Sequence, residues 1–113
     1  MTKNKVILVP FPFDDLTATK VRPVVCLTNP IGPHHHVIVG FITSRIPTDP
    51  LDSDFIIGID DQGFSETGLR VPSALRLHRL ITLSTDIFVR ELGRLSDQME
   101  GQVDNRLRAL FGL

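Results

Sequence analysis

Three places in the chain carry groups suited to an anionic ligand. Arg22 stands directly before Pro23 in KVRPVVCLTN, at the mouth of an apolar run. Thr43-Ser44-Arg45 closes a second such run, VIVGFITSR, and Arg76 lies on a third, PSALRL. A guanidinium is a planar, permanently charged fork that matches phosphate oxygens two at a time. A threonine or serine hydroxyl adds one donor and two acceptor sites. Pro23 fixes its own φ and restricts Arg22 to extended conformations, so the backbone is stiff where the cation must be aimed. Composition alone leaves all of these as solvated surface groups, because spacing along the chain does not bring them together.

Other candidates have simpler readings. His34-His35-His36 suggests a metal site, but consecutive strand residues point to opposite faces and cannot easily converge on one ion. No other His or Cys stands at recognised zinc-site spacing, so the triple reads as a solvated turn and no metal is expected. Asp14-Asp15 and Asp60-Asp61 lie in turn-like segments, where aspartate commonly caps backbone N–H groups. Cys26, the single cysteine, sits in an apolar run and reads as a small core residue. No phosphate-binding loop, dinucleotide fingerprint, nucleophile elbow or HExxH is present.

The elements that must position these groups are mostly short strands. Val6–Val9 reads as a buried strand ended by Pro10 and Pro12. The polar Asp14–Lys20 stretch reads as a loop. Val24–Thr28 is the second strand, and Asn29-Pro30 with Gly32-Pro33 forces a turn. Val37–Thr43 is a third strand, with Ser44 expected on the face opposite Thr43. Ile46–Ser53 reads as a loop, Asp54–Ile59 as a fourth strand and Asp60–Gly63 as a turn. Ser73–Leu77 is a fifth strand that Leu80–Leu83 continues after a bend, and Phe88–Leu92 is another. The end changes period: Ser96 is placed to cap a helix whose stripe is Met99, Val103, Leu107, Leu110 and Phe111, and Gly112 to stop it. The expected fold is mainly β with a C-terminal α-helix, a small, strongly bent sheet or barrel, as one domain over 1–113.

At 113 residues the chain can enclose a hydrophobic core without disulfides or metal. A net charge of −1 argues against a general nucleic-acid coat protein but leaves room for a local basic site. Arginine dominates the cations, nine against three lysines. No apolar run is long enough for a membrane span, the N-terminus lacks a signal-peptide pattern, and one cysteine fits a cytoplasmic home.

In order, VILVPFPF, KVRPVVCLTN, VIVGFITSR, PSALRL, RELGRLS and the terminal LRALFGL resemble the landmarks of the MazF/PemK family of toxin–antitoxin ribonucleases, from about Lys5 to Leu113. The resemblance implies a small SH3-like barrel, usually a homodimer, that cuts single-stranded RNA without metal or cofactor and is blocked by an antitoxin protein. It implies attack by the 2′-OH, giving a 2′,3′-cyclic phosphate and a 5′-OH. Arg22 matches the arginine of the family's RP motif, and Thr43 the threonine that works beside it. Ser44 and Arg45 adjoin that pair as substrate-binding groups. Arg76 matches a second arginine, but the family's R-x-D pattern reads Arg76-Leu77-His78 here, with imidazole in place of carboxylate; both count as substrate-binding candidates, His78 either as an acid or base or as an inert or auxiliary replacement. A second departure is Asn4-Lys5, where the family often has glycine and an acid. Phe11, Phe13 and the Asp14–Lys20 loop are candidates for contacting splayed bases.

The resemblance fits the residue types. In-line attack builds negative charge on the phosphoryl oxygens, which a fixed guanidinium stabilises. A dimer could set Arg22, Arg45 and Arg76 along one groove. Two rival readings are a gyrase inhibitor of the same fold, like the CcdB branch, and a degenerate module that binds RNA or peptide without cutting it.

Overall fold

The computed structural model describes residues 1–10 and 20–113. Among the described residues there are six strands, the first four built on apolar, largely β-branched runs: β1 Lys5–Pro10, β2 Val21–Cys26, β3 His36–Thr43, β4 Asp54–Ile57, β5 Ser73–Ser84 and β6 Arg90–Arg94. Helix α1 follows at Asp97–Leu110. Every pairing is antiparallel, and the order across the sheet is β4-β5-β3-β2-β1-β6. The result is a curled half-barrel with β4 and β6 as its edges, mainly β with one C-terminal helix. Phe11, Pro12, Phe13, Asp14-Asp15 and all of the expected Asp14–Lys20 loop except Lys20 lie outside the described residues.

Four strands differ from the sequence reading by more than one residue at an end or in continuity. β2 begins at Val21 and ends at Cys26, so Arg22 and Pro23 are strand residues. Pro23 is tolerated because it pairs with Leu8 of β1, whereas the ladder to β3 begins only at Val24↔Phe41. The two runs expected on either side of a bend form one strand, β5. Its bend is a bulge: Gly40 pairs with Leu80 but the next residue, Phe41, pairs with Arg76, leaving 77–79 extra. β4 stops at Ile57, where Asp61 turns the chain by accepting a hydrogen bond from the Gly58 N–H at 2.6 Å. β6 starts at Arg90, because Thr85–Ile87 forms a 3₁₀ turn whose Ser84 hydroxyl accepts from the Asp86 N–H.

Strand alternation sorts the apolar residues onto two faces. Val6, Val25, Ile42, Leu75 and Leu77 join Met99 and Val103 of α1 in the larger cluster. Ile7, Val9, Val24, Cys26, Val37 and Val39 form the smaller one. Burial pushes the Cys26 thiol up to about 11; nearby Lys5 works against the rise and Glu91 with it.

The Ser96 hydroxyl accepts from the Met99 N–H at 3.2 Å, capping α1. The helix stripe is buried only over its first half. Leu110 and Phe111, expected to pack, are 39% and 60% exposed, since the last turn carries them into solvent. Gly112, at φ 70°, closes the helix: its N–H donates to Ala109 O and the Leu113 N–H to Arg108 O. The three histidines are exposed; His34 and His35 lie in a turn that relies on positive φ at Gly32 and His35, and His36 opens β3. Among the described residues no helix is long and apolar enough to cross a membrane.

Candidate functional site

The ladder between β2 and β3 ends at Val24↔Phe41. Continuing that register two residues outward sets Arg22 opposite Thr43, on the face Val24 and Phe41 share. The paired ladder stops there, and both strands line a groove of about 940 Å³, Arg22 and Pro23 from β2 and Phe41, Ile42 and Thr43 from β3. Its walls include Leu8, Pro23, Ile42, Leu69 and Leu92. Its rim is cationic: Lys20, Arg22, Arg45, Arg70, Arg79 and Arg90 all line it, half of the chain's 12 lysines and arginines. Among its described lining residues there is no carboxylate. A chain of net charge −1 has therefore gathered its cations at one place, which raises the local potential far above what net charge suggests.

Thr43 ends β3, and its hydroxyl accepts a hydrogen bond from the Arg45 N–H at 3.1 Å. That local bond turns the chain, so Ser44 does not continue the strand onto the far face. Thr43, Ser44 and Arg45 all line the groove with Arg22. Accepting from Arg45 leaves the Thr43 O–H as a donor.

Arg76 and His78 are placed differently. Neither lines the groove of the single chain, where Arg22 and Arg45 stand without Arg76. Asp54, its register partner on β4, draws it away: the Arg76 Nε–H donates to Asp54 Oδ1 at 2.9 Å. The Asp54 side chain is fully buried, and its Oδ2 accepts from the Leu51 N–H at 2.9 Å. His78 Nδ1 stands 3.9 Å from Oδ1. Burial acts to raise the Asp54 pKa, but the Leu51 and Arg76 hydrogen bonds and the charges of Arg76 and His78 outweigh it. The carboxyl is held below its ordinary value. Arg106 of α1 completes the knot: its Nε–H donates to the Asp54 carbonyl at 3.2 Å, and its guanidinium lies 5.3 Å over the Phe55 ring.

Lys20, Arg70, Arg79 and Arg90 were not singled out by the sequence, and neither was Asp54. The carboxylate that meets Arg76 is Asp54 on the neighbouring strand, a pairing that only sheet order reveals. Asn4 resolves the other departure. It adopts φ 74°, the left-handed conformation for which glycine is the usual choice and which Asn tolerates. Its neighbour Lys5 pairs with Glu91 at 2.8 Å, and neither residue lines the groove. Among the described residues no cluster of three or more His, Cys, Asp or Glu could hold a metal ion.

A curled antiparallel sheet, one C-terminal helix and a groove rimmed by arginines define a small β protein equipped to hold an anion. The chain belongs to the PemK-like, MazF-like toxin family of type II toxin–antitoxin systems, whose model matches residues 2–111. Solved structures agree on the fold. A mycobacterial endoribonuclease in complex with its cognate antitoxin is 15% identical, with a TM-score of 0.74 over 100% of this chain and 96% of that one. The Mycobacterium tuberculosis toxin MazF-mt6 is 21% identical, with a TM-score of 0.72 over 96% and 97%. No curated protein matches the sequence.

Proposed function

We propose that this toxin is a metal-independent endoribonuclease that cuts single-stranded RNA at the Arg22–Thr43 groove. The observation that carries the reading is the convergence of six cations and the Thr43 hydroxyl on one open cleft. The RNA backbone lies along the cationic rim, and the 2′-oxygen attacks the adjacent phosphorus. The bond from O2′ to phosphorus forms, the bond from phosphorus to O5′ breaks, the 2′-OH proton is lost and the departing 5′-oxygen gains one. The products are a 2′,3′-cyclic phosphate and a 5′-OH. Arg22 stabilises the charge that builds on the phosphoryl oxygens. It is too firmly protonated to act as base, so its part is electrostatic. The Thr43 O–H donates to a phosphoryl oxygen, and Ser44 and Arg45 extend the grip to neighbouring groups. DNA binds but is not cut, because it lacks the nucleophile.

The whole chain acts as one domain in the cytoplasm, as a homodimer, with a cognate antitoxin that masks the groove. An antitoxin partner is supported by the mycobacterial endoribonuclease solved with its own. The test is incubation of mixed RNA with the protein in chelator, followed by analysis of fragment ends. Cyclic phosphate and 5′-OH ends are expected; 5′-phosphate ends, or loss of activity in chelator, would overturn the mechanism. A DNA-supercoiling assay on the same preparation tests the rival: gyrase inhibition with intact RNA would replace this reading.

A further inference from the structure

We propose that Arg79, and not Arg76, is the second arginine that holds the RNA backbone, and that the bulge in β5 puts it there. The proposal rests on the ribonuclease reading and deepens it. Arg76 is matched one-to-one by the buried Asp54, so its charge is spent inside the fold. Arg79, three residues on, is exposed and lines the groove. The bulge explains the exchange. Had the Phe41↔Arg76 register continued with no bulge, Arg79 would pair with Ile38. That is three residues further from Thr43 than Phe41, a retreat of about 10 Å along the strand. The bulge instead holds Arg79 at the level of Gly40 and Phe41. Bulges re-aim side chains in this way beside functional sites.

The sheet order then fixes what Arg79 can do. β3 runs between β5 and β2, so Arg79 and Arg22 flank Phe41 and Thr43 from opposite sides. One guanidinium serves the scissile phosphate beside Thr43. The other stands further along the groove and takes a neighbouring phosphate, fixing the register of the strand. Arg79 is a substrate-positioning group that binds the backbone without reading sequence.

The test uses the full chain and a fluorescent, mixed-sequence 2′-O-methyl RNA, which binds but cannot be cut. Anisotropy is measured across a salt series for the wild type and for Arg79→Ala, Arg79→Lys, Arg76→Ala and Arg108→Ala, each checked for folding by circular dichroism. Arg79→Ala is expected to weaken binding about tenfold, the loss of one charged hydrogen bond. It should also flatten the log–log salt slope by about 0.7, one phosphate contact on a single strand. Arg79→Lys keeps the wild-type slope, and Arg108→Ala, on the exposed end of α1, changes neither quantity. Wild-type affinity and slope in Arg79→Ala would overturn the proposal, as would a flattened slope in folded Arg76→Ala. A wild type that fails to bind the probe overturns this proposal and the ribonuclease reading together. A wild type that binds the probe and cuts unmodified RNA in a parallel reaction, with Arg79→Ala matching its affinity and slope, overturns this one alone.

Discussion

Arg76→Ala is expected to damage the fold rather than the chemistry, and the size of the damage can be worked out. The substitution removes the 2.9 Å charged hydrogen bond to Asp54, whose side chain is fully buried. Stranding one member of a buried ion pair costs about 3–5 kcal/mol. Arg76 itself is 23% exposed and the Leu51 N–H still serves Oδ2, so the low end applies, about 3 kcal/mol. For a chain of this length that is on the order of 12 °C in Tm. Urea denaturation at neutral pH measures it. The pH dependence gives a second handle. In the wild type the Asp54 carboxyl is held below its ordinary value, so the stability it confers is full above the unfolded value of 3.8 and fades as pH falls through the lowered one. The gap between wild type and Arg76→Ala should therefore be widest at neutral pH and shrink in acid. A gap under about 0.5 kcal/mol at neutral pH, the range of an ordinary surface change, would refute the argument.

Two further outcomes follow from the packing. Gly93→Ala places a Cβ against the backbone of the 3₁₀ turn Ser65–Thr67, 2.6 Å from Thr67 C, and should cost at least about 3 kcal/mol in urea unfolding; an alanine variant as stable as wild type would contradict it. The Cys26 thiol, buried and pushed up to about 11, should resist iodoacetamide at neutral pH in the folded protein and react once urea unfolds it; labelling at equal rates in both states would contradict it.

Much of the architecture was legible because each element announces itself locally. β-branched runs bounded by proline and glycine mark β1 to β4, alternation marks the start of β5, and the switch to helical period after Ser96 marks α1. Arg22 and Thr43 could be singled out as chemical groups, but their meeting depends on a register that begins at Val24↔Phe41 and on strand order, neither of which is a local property. The same holds for Asp54, which looks like an ordinary strand-opening residue until β4 is laid beside β5. Arg79 was hidden for a different reason. Simple alternation along β5 misplaces it, and only the three extra residues of the bulge carry it to the groove. The helix stripe shows the opposite error: period alone promises burial for Leu110 and Phe111, yet both are exposed.

Joint action of Arg22 and Thr43 on one phosphodiester is read out by the single-turnover cleavage rate of one RNA with wild type, Arg22→Ala, Thr43→Ala and the double variant, with unfolding curves alongside. Arg22 is exposed, so its loss should leave stability within about 0.5 kcal/mol of wild type while cleavage falls by a factor of about 10² or more. Thr43→Ala should fall less, and the double variant should fall by less than the product of the two, because the groups share one transition state. Wild-type cleavage in a folded Arg22→Ala protein, or strictly multiplicative losses, would contradict the account.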